Sequence, residues 1–199
     1  MEGQNSGENR NISEVTGIEP VMEAAESVPA KKYLFGEVLE SVAIAVVLAV
    51  IIRVFLFQPF FIPSGSMEPT LIEGDRIIVS KIHYRLGNPQ RGEIIVFKYP
   101  VDPKKDFIKR VIGLPGETLE IRDSKLYING EFVEQPFLPP GLSYGSYGPV
   151  TIPEGQYFMM GDNRNNSEDS RFWGMLPQEN IIGKTLLIYW PVNRVQLLH

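Results

Sequence analysis

The uncharged run from Ser41 to Ile52 constrains this chain more than any other stretch. Twelve residues without a charge have to be hidden from water, in a protein core or in lipid. Taken alone they suit a buried core helix or the apolar part of a secretory signal. Leu34 and Phe35 extend the apolar character backward past Glu37 and Glu40, and Val54-Phe55-Leu56-Phe57 carry it forward past Arg53. The span from about Leu34 to Phe57 is long enough to cross a bilayer, with its edge charges reaching toward the headgroups. No small-residue cleavage pattern follows it, so a removable signal peptide fits poorly. One transmembrane helix near 36–57, retained as an anchor with Arg53 near its far interface, is the expectation. Lys31 and Lys32 precede the span, and the 20 residues after Phe57 carry only Arg76 as a base. The positive-inside rule then puts the N-terminus in the cytoplasm and the remainder outside.

The charge of the chain is localised. Of 24 acidic residues, six glutamates fall in residues 1–30 beside a single base, Arg10, which reads as a disordered acidic leader. From Lys31 onward 18 acids balance 18 bases, so there is no electrostatic case for a nucleic-acid partner. The absence of cysteine removes disulfides and thiol catalysis, and the two histidines, His83 and His199, stand too far apart for a metal motif. No cofactor and no metal are expected.

After Leu71 the pattern changes to short β-branched runs. Asp75–Ile82, Glu93–Tyr99 and Phe107–Ile112 are separated by Gly74-Asp75, Gly87-Asn88-Pro89 and Asp102-Pro103. Thr118–Ile121 and Lys125–Ile128 alternate, and the second runs into Asn129-Gly130, a type I′ hairpin signal. Residues 135–149 have little periodicity and read as an ordered excursion. Gln156–Met160 and Ile181–Trp190 return to strand character. The fold class expected is mainly β: an antiparallel, barrel-like sheet domain behind a single N-terminal transmembrane helix.

Three clusters carry chemistry. The first is Phe60-Phe61-Ile62-Pro63-Ser64-Gly65-Ser66-Met67-Glu68-Pro69-Thr70-Leu71. Two prolines fix φ and remove donors, so it is an ordered loop whose serines are nucleophile candidates or plain turn residues. The second is Lys109, in Asp106–Gly116. On a strand it shares a face with Phe107 and Val111 and opposes Ile108 and Arg110. An apolar setting favours the neutral amine and makes it a usable base. Periodicity alone favours an exposed lysine lying over apolar neighbours. The third is Gly161-Asp162-Asn163-Arg164-Asn165-Asn166-Ser167-Glu168-Asp169-Ser170-Arg171, a dense hydrogen-bonding loop in which Asp/Arg pairs can fix the shape.

In this order, behind an apolar anchor, the three clusters resemble bacterial type I signal peptidases (leader peptidases) over about residues 36–190. The resemblance implies a membrane-bound serine endopeptidase with a Ser/Lys dyad. Ser66 would be the nucleophile and Lys109 the general base, with Ser64 donating to the oxyanion beside the backbone N–H of Ser66. Ser167 matches the serine that orients the lysine amine. Asp169 and Arg171 match a supporting ion pair, and Asp162 and Arg164 match positions of structural or assisting role. The implied partners are preprotein signal peptides emerging from the export machinery and membrane lipid, with cleavage after A-x-A-like sites. Phe61, Ile62, Met67 and Ile112 are the candidate walls of the shallow apolar pockets such sites need. The segment between Gly116 and Gly161 is too short for the extra domain of some relatives. Lysine rather than histidine at position 109 is the bacterial or organellar pattern.

The expected organisation is a cytoplasmic leader over 1–33, an anchor over 34–57 and an extracytoplasmic catalytic domain over 58–199 at the cell membrane. Self-cleaving repressors share such a dyad on a similar core, but would need a DNA-binding domain and an internal cleavage site. A non-enzymatic, membrane-tethered β domain fits the composition equally well and is disfavoured only by the Ser64/Ser66/Lys109/Ser167 set.

Overall fold

The structure, a computed structural model, describes residues 30–85 and 87–198, with side chains from Gly36 onward except those of Val54 and Phe55. The leader expected over 1–33 lies outside the described residues up to position 29. Two compact units divide between Val42 and Ala43.

The helix α1 runs from Ala30 to Ile51 and a π-type turn continues it over Ile52–Leu56. From Gly36 onward its apolar side chains are exposed on every face: Val38, Leu39, Val42, Ile44, Val46, Val47, Leu48, Val50 and Ile51 all belong to the accessible surface. Among the described residues no helix is long and apolar enough to cross a membrane. The backbone leaves helical geometry at Phe57.

The strands that follow, in chain order, are β1 (Phe57–Phe61), β2 (Arg76–Ser80), β3 (Ile94–Lys98), β4 (Asp106–Gly113), β5 (Thr118–Arg122) and β6 (Lys125–Ile128). Then come β7 (Glu131–Val133), β8 (Tyr147–Thr151), β9 (Gln156–Met160), β10 (Leu176–Pro177), β11 (Ile181–Trp190) and β12 (Gln196–Leu197). One short helix, α2 (Ser170–Trp173), lies between β9 and β10. Every strand pair is antiparallel. The larger sheet runs β1-β2-β11-β3-β4-β9-β10 with β12 added to β11, and the smaller runs β7-β6-β5-β8. The larger order is an open path from β1 to β10, so the mainly β, antiparallel expectation holds without closure into a ring.

Sequence accounts for much of this locally. Asn129 and Gly130 both take positive φ and turn β6 into β7, as the Asn-Gly pair dictates. Pro59 sits in β1, an edge strand, where a missing N–H leaves no ladder bond unmade. Two elements escape the pattern. β1 bridges the end of the apolar run and the start of the stretch read as an ordered loop, and β8 begins within the excursion read as non-periodic, because Gly148 and Pro149 dilute its alternation.

Three apolar clusters form the core. The first joins Ile62, Met67 and Leu71 to Ile77, Val79 and Ile188 beneath the serine loop. The second packs Ile112, Phe158 and Met160 on the small sheet. The third holds Ile95, Phe97, Val111, Tyr157 and Met159. Lys109 is carried on a strand where it shares a face with half-buried Phe107 and buried Val111, which brings the amine into an apolar setting.

Candidate active site

Ser66 is the middle residue of a single 3-10 turn, Gly65–Met67, preceded by Ser64 in extended geometry. Met67 is wholly buried and pins the turn to the core, and the Leu71 N–H donates to the Met67 carbonyl at 3.0 Å. Asn163 grips the turn from the other side. Its N–H donates to the Ser66 carbonyl at 3.2 Å, and its Nδ2 donates to the Gly65 carbonyl at 3.0 Å. Thr70 Oγ1 donates to Asp162 Oδ2 at 2.6 Å. At the far end of the loop, Asp75 is wholly buried and receives Arg194 in a bidentate pair at 2.8 and 3.0 Å.

Lys109 Nζ lies 2.7 Å from Ser66 Oγ, although 43 residues separate them. β4 delivers the lysine, in register with Ile95 of β3, and only 4% of its surface is accessible. Nζ stands 5.4 Å from the centroid of the Phe107 ring, on the face the alternation predicts. Burial removes the water that would stabilise an ammonium and lowers the amine to about 8, against the opposing pull of Asp169, Glu168 and Asp162. An amine with that affinity, in contact with a hydroxyl, can take the proton of an attacking alcohol near neutral pH.

The third cluster surrounds this pair. Asp169, wholly buried, takes Arg171 in two bonds of 2.8 Å and accepts the Gly161 N–H at 3.1 Å. Arg171 also donates to the Arg164 carbonyl at 2.7 Å, so one ion pair ties both ends of the loop. Ser167 is buried beside Gly161, and its hydroxyl has no hydrogen-bond partner among the described residues. Ser64 is exposed and makes no side-chain bond to the turn it precedes.

Asp162 does not pair with Arg164. Its partner is Arg110, at 2.9 and 2.6 Å, in an ion pair with 4% and 0% of its two side chains accessible. Arg164 points instead to the 135–144 excursion, where it bonds Gln135 and lies over Tyr144, 4.9 Å from the ring centroid; burial pushes its guanidinium below the ordinary value. Among the candidate pocket residues, Phe61 is exposed, while Ile62 and Met67 are buried together in one core cluster and Ile112 in another.

Sequence reading assigns no role to Arg110, Thr70, Asn163 or Gly161. Arg110 and Thr70 lie inside the recognised motifs, but the pairing that gives them a role spans 52 and 92 residues. Gly161 has a steric role. A Cβ there would collide with the Ser167 hydroxyl and the Ser66 carbonyl. Gly161→Ala is therefore expected to displace the serine loop and cut turnover roughly 100-fold, the cost of about 1 Å of misplacement. A steady-state assay of that variant, beside a thermal melt showing that it folds, is the check. Among the described residues no three His, Asp or Glu side chains converge to hold a metal ion.

Residues 35–190 match the family described as "Signal peptidase, peptidase S26". A probable signal peptidase I-2 of Synechocystis is 45% identical, the match covering 87% of this chain and 80% of that one. A signal peptidase I of Leptolyngbya laminosa is 42% identical over 88% of this chain and 90% of its own length. A signal peptidase I of Bacillus licheniformis is 38% identical, with 83% of this chain and 94% of that protein covered. With a family match over most of its length and relatives this similar across theirs, the chain belongs to the signal peptidase family, peptidase S26.

Proposed function

We propose that this chain, a serine endopeptidase that removes signal peptides from exported preproteins, uses Ser66 as nucleophile and Lys109 as general base. The observation that carries the dyad is the 2.7 Å contact between Ser66 Oγ and a buried Lys109 amine. The neutral amine takes the hydroxyl proton as Oγ attacks the scissile carbonyl carbon. The oxyanion of the tetrahedral intermediate is received by the Ser66 N–H and the Ser64 hydroxyl, which its exposure leaves free to swing toward substrate. The resulting ammonium returns the proton to the leaving amine, freeing the mature protein and leaving the signal peptide as an ester on Ser66. Lys109 then deprotonates a water, which attacks the ester and restores the hydroxyl. Ser167 sits beside this path, and the Asp169–Arg171 and Asp162–Arg110 pairs hold the backbone on either side. Arg164 braces the loop against the excursion.

Although no described helix by itself is long and apolar enough to cross a membrane, the longer apolar span from Leu34 to Phe57, which continues past α1 through Ile52–Leu56, is the proposed membrane anchor, with the N-terminus cytoplasmic and the catalytic domain outside. An apolar helix surface exposed on every face supports this, since such a surface suits lipid. The nucleophile loop follows the anchor by a few residues, close to where a signal peptide leaves the bilayer. Phe61 is the pocket residue that substrate would touch, with Ile62 and Met67 as its rigid backing and Ile112 more remote.

The test is to incubate detergent-solubilised protein with a preprotein and sequence the new N-terminus. Cleavage after an A-x-A-like site is expected. At limiting substrate, the rate should rise about tenfold per pH unit below a limb near 8 and level above it, because protonated Lys109 is no base. No cleavage, or a rate flat from pH 6 to 9, would sink the proposal.

A further inference from the structure

Beside the dyad lies an aromatic and acidic arrangement that the mechanism above does not use. Tyr99 follows β3 directly, is 8% accessible, and is held by its N–H donating to the Lys105 carbonyl at 2.9 Å. Its ring stacks flat on Phe107, with centroids 4.2 Å apart and planes 5° from parallel. Phe107 is the ring over which Lys109 Nζ stands at 5.4 Å. Trp173 of α2 packs against Tyr99 in a T-shaped contact, at 6.0 Å and 81°. The Tyr99 hydroxyl donates to Glu168 Oε1 at 2.8 Å. Glu168 is exposed and lies between buried Ser167 and buried Asp169.

The charges around Lys109 make Glu168 distinctive. Three carboxylates act on the amine, those of Asp169, Glu168 and Asp162. Asp169 is matched by Arg171 and Asp162 by Arg110. Glu168 makes no ion pair among the described residues; its recorded partner is a neutral phenol. On β3 the lysine's register partner is apolar Ile95, and from the serine loop it meets the Ser66 hydroxyl. The uncompensated negative charge near the base is therefore Glu168.

We infer that Tyr99 and Glu168 form a positioning strap for the general base: the phenol, stacked on the Phe107 ring over which Lys109 stands, holds a carboxylate without an ion-pair partner in the loop around the dyad, where its charge acts on the amine. The inference rests on the assignment of Lys109 as base. A nearby negative charge stabilises the ammonium, so the strap makes the base harder to deprotonate at rest. Tyr99 is suited to the task because one face of its ring is stacked on Phe107 and a second aromatic, Trp173, packs against it at a right angle, which holds the hydroxyl in place.

Glu168→Gln keeps an acceptor for Tyr99 and removes the charge. Its acid limb should move to lower pH, so that processing near pH 6.5 rises roughly two- to threefold, the size expected of an exposed charge, while the high-pH plateau stays put. In 1 M salt the difference from wild type should vanish, because exposed charges are screened there. Tyr99→Phe keeps the stack and loses the bond. It should shift the limb in the same direction and also lower the plateau kcat several-fold, since the Ser167–Asp169 segment loses its tether. Full pH profiles of kcat and kcat/KM for wild type and both variants, at low and high salt, read these effects. An unmoved limb in Glu168→Gln at low salt overturns the inference, whatever Tyr99→Phe does. Ser66→Ala run beside them separates the two levels: if it still processes preprotein, the dyad itself fails, whereas an inactive Ser66→Ala with an unmoved Glu168→Gln limb removes only the strap.

Discussion

Ser66→Ala and Lys109→Met are each expected to lower kcat/KM for preprotein by on the order of 10⁴-fold or more, and the double variant is expected to be no worse than either alone. Nucleophile and base act as one unit, so removing the second after the first removes nothing further. The two variants differ in stability. Ser66→Ala deletes one hydroxyl from a turn held by Met67, Asn163 and Thr70 and should melt close to wild type. Lys109→Met replaces a 4% accessible amine by a thioether of similar length above Phe107. It should melt at or above the wild-type temperature, because the burial that lowers the amine to about 8 is a cost the apolar side chain does not carry. Lys109→Arg should be as inactive as Lys109→Met, since a guanidinium stays protonated and cannot act as base. Single-turnover cleavage on a gel, beside thermal melts, checks all of this. Processing by Ser66→Ala at the wild-type rate would remove the dyad.

The largest stability effect is expected at a residue the sequence did not nominate. Arg110→Met strands the Asp162 carboxylate, and Asp162→Asn strands the guanidinium, in a place where both side chains are almost wholly inaccessible. Breaking such a pair by removing one partner costs about 3–5 kcal/mol, and at this chain length that corresponds to roughly 6–20 °C in Tm. The other pairs bearing on the site should cost less, because Arg171 and Arg194 keep 13% and 25% of their surface in water. The combined Arg110→Met/Asp162→Asn variant removes both charges and should recover much of the loss. The amide that Asp162→Asn introduces would still offer an oxygen to Thr70, so activity should recover with stability. If the double variant is no more stable than the worse single, the pair is not what holds this region.

Local rules reached far into this chain. β11 was legible over its full span because ten β-rich residues, Ile181–Trp190, stand between turn signals. The Asn129-Gly130 turn was legible because positive φ at both positions excludes most other residue pairs. The equivalent turn at Asp123-Ser124 was not, since neither residue announces the positive φ that both adopt. The serine loop, the lysine strand and the hydrogen-bonding loop were each visible as a stretch, and their order carried the family.

By itself, then, the sequence determined the mainly β class, the apolar span and the three motif stretches, and it nominated the two residues proposed as the dyad. These depend on side-chain period, on proline and glycine geometry, and on a match of residue types, all of which are properties of neighbours along the chain. Tertiary structure alone decided that Lys109 is buried against Ser66 rather than lying on the surface, that Asp162 belongs to Arg110 and not to Arg164, and that Gly161 must lack a side chain. The physical reason is that an antiparallel sheet brings together strands whose order in space differs from their order in sequence. β4 meets β9 and the serine loop meets the Asp162 loop through packing, and no local periodicity encodes that.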